Sequence, residues 1–139
     1  MKILVIDGMG GGLGKAVVEA VKQKMPKVHI TAVGTNSLAT AAMLKAGADV
    51  GASGENAVIY NCKQVDVIIG AVGVLVANAM HGEISPTMAF AVGESSAHKL
   101  LIPIGKCSVS VCGVTQKPLG AHVEEVIEKL SLTKEEKSV

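Results

Sequence analysis

The sequence predicts an α/β protein, a single Rossmann-like three-layer domain. Its sheet is read as mostly parallel, with five strands plus an antiparallel edge strand. Three observations carry this reading. An apolar strand over 2–7 runs straight into a glycine cluster and then into an amphipathic helix pattern. Strand-like and helix-like stretches then alternate along the chain, as they do where helices cross between parallel strands. Finally, 49% of the 139 residues are hydrophobic, yet Tyr60 and Phe90 are the only aromatics. Such a core is built from Ala, Val, Ile, Leu and Met, the composition of a parallel sheet covered on both faces.

The elements follow in order. After the first strand, Leu13, Val17, Val18, Val21 and Met25 recur at helical spacing. Residues 28–33 form the second strand, ending at Gly34. Asn36 or Ser37 caps the next helix, with Leu38, Ala41, Ala42 and Leu44 as its packed side and Gly47 as its stop. A short third strand spans 48–52. Ser53 then caps a helix through Val58, Ile59 and Cys62. Residues 65–70, apolar but for Asp66, are the fourth strand. Pro86, in the first turn after Ser85, opens a helix through Met88, Ala89 and Val92. The fifth strand is 99–104, where Pro103 marks an edge or an end. In 109–114, Val109 and Val111 alternate with Ser108, Ser110 and Cys112. Too few residues precede this run for a helical crossover, so it is expected to pair antiparallel at the edge. Pro118 starts the last helix, which buries Leu119, Val123, Val126, Ile127 and Leu130. The domain is expected to span 1–131, with 132–139 a charged, disordered tail.

Ligands of open α/β sheets bind beyond the carboxyl ends of the strands. Residues 7–15, 34–37, 53–56, 70–73 and 105–107 should therefore share one rim. The first of these is the most informative. A strand, a glycine turn and a helix N-terminus in succession place backbone N–H groups and partial positive charge against a phosphate. Asp7, Gly8, Gly10, Gly11, Gly12, Leu13, Gly14 and Lys15 are the candidates there. Spacing separates the versions of the turn. G-x-G-x-x-G fails because position 13 is Leu, whereas G-x-x-x-G-x-G is met by Gly8, Gly12 and Gly14, as in the short-chain dehydrogenase variant. The P-loop pattern fails at Met9 and Ala16. Residues 11–15 resemble part of the deviant P-loop of partitioning ATPases, but Gly10 stands where its lysine belongs, and ATP hydrolysis is not expected. A ligand-binding turn is the favoured reading. The alternative is that the glycines only pack helix against strand.

Four blocks occur together: Ile6 to Gly12 (IDGMGGG); Ala32 to Ser37 (AVGTNS); Ala46 to Asp49 with Gly54 to Ala57; and Gly82 to Met88 with Ala91 to Gly93 and Leu101 to Pro103. In combination they resemble a family of short bacterial proteins known as a domain of unknown function, number thirty-eight forty-two. The likeness extends to about Val114. It implies a Rossmann-like fold and supplies no catalytic residues.

Individual residues leave alternatives open. NAD-binding units carry Asp or Glu after the second strand. Here Thr35 and Asn36 are neutral, which argues mildly against NAD, and no arginine is present to grip a 2′-phosphate. Asp7 either fixes the turn through backbone N–H groups, the favoured role, or touches ribose or a metal. Glu55 and Asn56 could contact a sugar or base, or merely complement a helix dipole. Gly70 and Gly73 complete the rim. His81, Glu83 and Ser85 could support acid–base work, but in a loop such groups are more often solvated. Tyr60 lacks the Tyr-x-x-x-Lys partner of short-chain dehydrogenases, since Gln64 stands there. His98, Cys107 and Cys112 are too few for zinc, so no metal is expected; Cys107 beside Lys106 is an ordinary loop thiol or a reactive one.

The formal net charge is +1, and base-stacking aromatics are almost absent. No nucleic-acid or membrane partner is expected. Three cysteines without a CxxC pair suit a reducing cytoplasm. The function expected is binding of a nucleotide, dinucleotide or other phosphorylated small molecule at 8–15, with NAD(P) or another adenine nucleotide as cofactor and a homodimer as assembly. The rival is a non-catalytic nucleotide-sensing or partner-binding module.

Overall fold

A computed structural model describes residues 1–105 and 108–138. The strands are β1 (Lys2–Asp7), β2 (His29–Gly34), β3 (Val50–Ser53), β4 (Val67–Ala71) and β5 (His98–Ile102). The helices are α1 (Gly12–Lys24), α2 (Ser37–Lys45), α3 (Glu55–Asn61), α4 (Pro86–Glu94) and α5 (Leu119–Ser138), with a 3-10 turn over Val72–Leu75 after β4. The sheet order is β3-β2-β1-β4-β5, and every pairing is parallel. Val5 lies opposite Ala32 on one side and Ile69 on the other, which makes β1 the centre of the sheet.

The two-residue period of β1 divides the core. Ile3 and Val5 join Val17, Val18 and Val21 of α1, Met43 of α2 and Val123, Val126 and Leu130 of α5 on one face. Leu4 and Ile6 face Val58 of α3 and Met88 and Val92 of α4 on the other. All four β1 side chains are fully excluded from solvent, each worth about 1.5–3 kcal/mol of apolar burial. The three layers thus follow from the expected strand–helix alternation.

Three expectations are corrected. No sixth, antiparallel strand forms over 109–114. Val109, Val111 and Val114 are exposed, and Cys112 and Gly113 form a turn. Breaks on both sides oppose extended pairing there: Pro103 lacks an N–H, and Gly105 and Gly113 sit at φ 134° and 84°. Alternation alone did not supply a sheet face to cover. Helix α2 turns Ala39, Thr40 and Met43 inward, while Leu38 is 68% exposed and Leu44 is exposed as well. The Thr40 hydroxyl explains this orientation. It accepts from the Gly34 amide and lies 2.6 Å from Ser53 Oγ, tying the ends of β2 and β3 to the helix. Ser53 is consequently the last residue of β3, and the cap of α3 is Gly54, at φ 98°. Cys107, read as a loop thiol, lies outside the described residues. Helix α5 continues through 132–138, most of the segment expected as a tail. No helix among the described residues is long and apolar enough to cross a membrane.

Candidate functional site

The carboxyl end of β1 meets the N-terminus of α1 through residues 8–11. Gly11 caps the helix at φ 76°, and a Cβ there would lie 2.9 Å from the Ala39 backbone, so glycine is required twice over. Asp7, 6% exposed, folds its carboxylate back into the turn. Its Oδ1 accepts from the Gly8 amide at 2.8 Å and its Oδ2 from the Gly14 amide at 2.6 Å. The Gly11 amide donates to the Gly8 carbonyl. The protein's own carboxylate therefore sits where the helix dipole favours an anion. Burial pushes the Asp7 carboxyl above the ordinary aspartate value, the two amide bonds oppose that, and the charge of Glu83 adds to it.

Glu83 is the second carboxylate of the site. It arrives on the loop 76–84, which is held by the Asn78 amide on the Ile84 carbonyl at 2.7 Å. Its Oε1 accepts from the Met9 amide at 3.0 Å, from Asn36 Nδ2 at 2.8 Å and from the Thr35 hydroxyl. Those donors, chiefly Thr35 and Met9, hold the Glu83 carboxyl below the ordinary glutamate value. Glu83 Oε2 makes no hydrogen bond among the described residues. Asn36 also donates to the Met9 carbonyl and caps α2 by accepting from the Ala39 amide at 2.9 Å. One carboxylate oxygen thus joins the loops after β1 and β2 to a third loop.

That third loop covers the switch point between β1 and β4. A Cβ on Gly8 would lie 2.8 Å from Met80 Sδ and 2.6 Å from Thr35 Oγ1. Met80 and His81 have φ of 58° and 56°, and Gly82 follows at 90°. Three successive left-handed residues, two of them not glycine, are an uncommon backbone state. Gly70 packs on β1, since a Cβ there would lie 3.0 Å from the Ile6 carbonyl, and Gly73 is buried in the 3-10 turn against Ala79.

The remaining candidates divide. Ser85 caps α4 by accepting from the Met88 amide at 3.2 Å, and its hydroxyl donates to Glu55 Oε1 at 2.5 Å. Glu55 and Ser85 are thus brought together; Asn56, His81 and Lys15 are exposed. The amides of Gly10, Gly12 and Leu13 make no hydrogen bond among the described residues, whereas those of Gly8, Met9, Gly11 and Gly14 are all satisfied. Among the described residues, no three His, Cys, Asp or Glu side chains gather to hold a metal. Sequence reasoning placed Glu83 only in an acid–base cluster and missed its bonds to Thr35 and Asn36, nearly fifty positions away, for which no local spacing is a signal.

Comparison with known proteins adds the following. A family model described as a domain of unknown function (DUF3842) matches residues 2–135. No curated protein matches the chain. Among solved structures, the chain is similar to a dodecameric FMN-dependent UbiX-like decarboxylase from Escherichia coli O157:H7. The identity is 16% and the TM-score 0.46, over 94% of this chain and 76% of that one.

Proposed function

We propose, for a chain that belongs to the family of unknown function matched over residues 2–135, that the turn binds a ribose-bearing phosphorylated small molecule, an adenine nucleotide or NAD. The observation that carries this reading is the division of polar groups at the rim. Asp7 and Glu83 saturate the amides of Gly8, Met9 and Gly14 and leave those of Gly10, Gly12 and Leu13 open at the N-terminus of α1. Open N–H groups at that position suit a phosphate, with Lys15 as a nearby point charge. The carboxylate missing from the end of β2 in the sequence is delivered there by Glu83 from another loop, and its open Oε2 can accept from a ribose hydroxyl. A 2′-phosphate would meet that negative charge, so NAD is favoured over NADP.

Thermal stabilisation by NAD, NADP, ATP, AMP, FMN and S-adenosylmethionine tests the reading. A ligand at a hundredfold its Kd adds about 2.7 kcal/mol, a rise of roughly 5–10 °C for a domain of this size. A Cβ on Gly12 meets nothing within 4 Å, so Gly12→Val keeps the fold while crowding the open amides. The expected result is a shift with NAD or AMP that Gly12→Val abolishes. No shift with any ligand would leave the glycines as packing residues.

The sensor reading has its own support. Of the three acid–base candidates, Glu83 is engaged through Oε1 in tying loops and Ser85 in capping α4, and neither makes a hydrogen bond to His81. A ligand that drew on Glu83 would loosen three loops together and report its presence without turnover. Sedimentation with and without AMP, which also tests the expected homodimer, would then change while no product forms.

A further inference from the structure

The two aromatics of the chain both stay out of the core. Tyr60 is 58% exposed on α3 and Phe90 67% exposed on α4, although a buried aromatic ring contributes more apolar area than any aliphatic side chain. The two helices are neighbours in the layer that covers Leu4 and Ile6. Val58 of α3, Cys62 at its end, and Met88 and Val92 of α4 fill their inner sides.

On the outer side, a half-open groove of about 480 Å³ runs between them. Ile59 and Ala91 line it as apolar residues, and Phe90 stands on its α4 side. The end of the groove is tied. The Ser95 hydroxyl donates to the Cys62 carbonyl at 2.6 Å and accepts from the Ala97 amide at 3.1 Å, and Lys99 Nζ donates to the Ser95 carbonyl at 2.6 Å. A knob thus stands beside a preformed hole. Lys63, just past α3, and Glu94, the last residue of α4, are exposed on opposite sides of the groove. Neither forms an ion pair among the described residues.

We propose that this α3–α4 face docks a second copy of the chain, with Phe90 of each copy seated in the groove of the other. A two-fold contact requires a surface complementary to itself. This one carries its knob beside its hole and a cation across from an anion. A two-fold axis along the groove sets Lys63 of one copy against Glu94 of the second, and the same pair forms twice. A ligand or partner of one charge sign would leave one of the two unmatched. The formal net charge of +1 gives two copies little mutual repulsion. Helices of seven and nine residues make a small face against the roughly 800 Å² that a standard interface buries per side, so the dimer is reversible, with Kd about 10 μM. Neither the glycine turn nor its ligand enters this reading.

Sedimentation over a range of protein concentrations, without ligand, tests the proposal. Wild type is expected to pass from monomer to dimer across the micromolar range. Phe90→Lys, at an exposed helical position, is expected to weaken the dimer about thirtyfold. Lys63→Glu and Glu94→Lys each bring like charges together twice, and each is expected to weaken it about tenfold. Mixed in equal amounts, those two variants should regain wild-type affinity, since every contact of the mixed dimer again joins opposite charges. Wild type that remains monomeric at near-millimolar concentration overturns the proposal. So does a dimer that Phe90→Lys leaves intact, or a mixture that associates no better than its components.

Discussion

The rim at β1 and β2 and the edge at β5 treat polar groups in opposite ways. At the rim, carboxylates from distant loops seek out backbone amides and hydroxyls, until Asp7 and Glu83 alone accept five hydrogen bonds. At the edge, β5 pairs with no further strand among the described residues, and Val111 and Val114 stand exposed beside an open cavity. Both regions lie at the border of the same parallel sheet. The difference teaches that this fold closes its customary ligand crevice with its own chain and leaves the edge of its sheet open.

The comparison breaks most forcibly at Gly34. A Cβ there would lie 2.5 Å from both the amide nitrogen and the hydroxyl of Thr40 and 2.7 Å from the Asn36 carbonyl. Two of those atoms are backbone, so Gly34→Ala is expected to cost about 3 kcal/mol in urea unfolding. A cost near zero would mean the rim is looser than its hydrogen bonds imply.

Glu83→Ala comes next, at about 2 kcal/mol, because three donors lose their acceptor while water can reach some of them. Its pH dependence has a fixed sign. The folded-state value of Glu83 is lowered, so its contribution is fully present above the ordinary glutamate value, about 4.3, and is lost as the pH falls through the lower folded value. Asp7 runs the other way. Its folded value is raised, so what it contributes is present below the ordinary aspartate value, about 3.9, and is lost as the pH rises through the folded value. Unfolding curves of Glu83→Ala and Asp7→Asn across the acid range should therefore diverge from wild type in opposite directions.

His81→Gly sharpens the comparison in the stabilising direction. His81 is exposed and left-handed at φ 56°, so glycine should raise stability by about 1 kcal/mol. The smallest effect belongs to the edge: Val111→Ser, on an irregular and exposed segment, should change stability by less than about 0.5 kcal/mol.

The layers were legible in the sequence because they rest on local signals. The inward face of α1, the Ser85 cap with Pro86, and the stop near Pro103 each depend on neighbours a few residues apart. The inward face of α2 was misread because its polar Thr40 is buried for the sake of Gly34 and Ser53, contacts made only once the sheet exists. The supposed sixth strand had the right period and no partner. At the site, the strand–turn–helix geometry was legible, but the amides spoken for by Asp7 and Glu83 were not, since the second of these acts from the far side of three helices in the chain.

The single oxygen of Glu83 that receives Met9, Asn36 and Thr35 has a thermodynamic consequence. Segments sharing one acceptor cannot open independently without stranding it, so the β1 and β2 turns and 76–84 behave as one cooperative unit. Their amides should exchange with solvent at a common rate under native conditions. In a Thr35→Val, Glu83→Gln double-mutant cycle the two changes should fall short of additive, because each removes part of what the other needs.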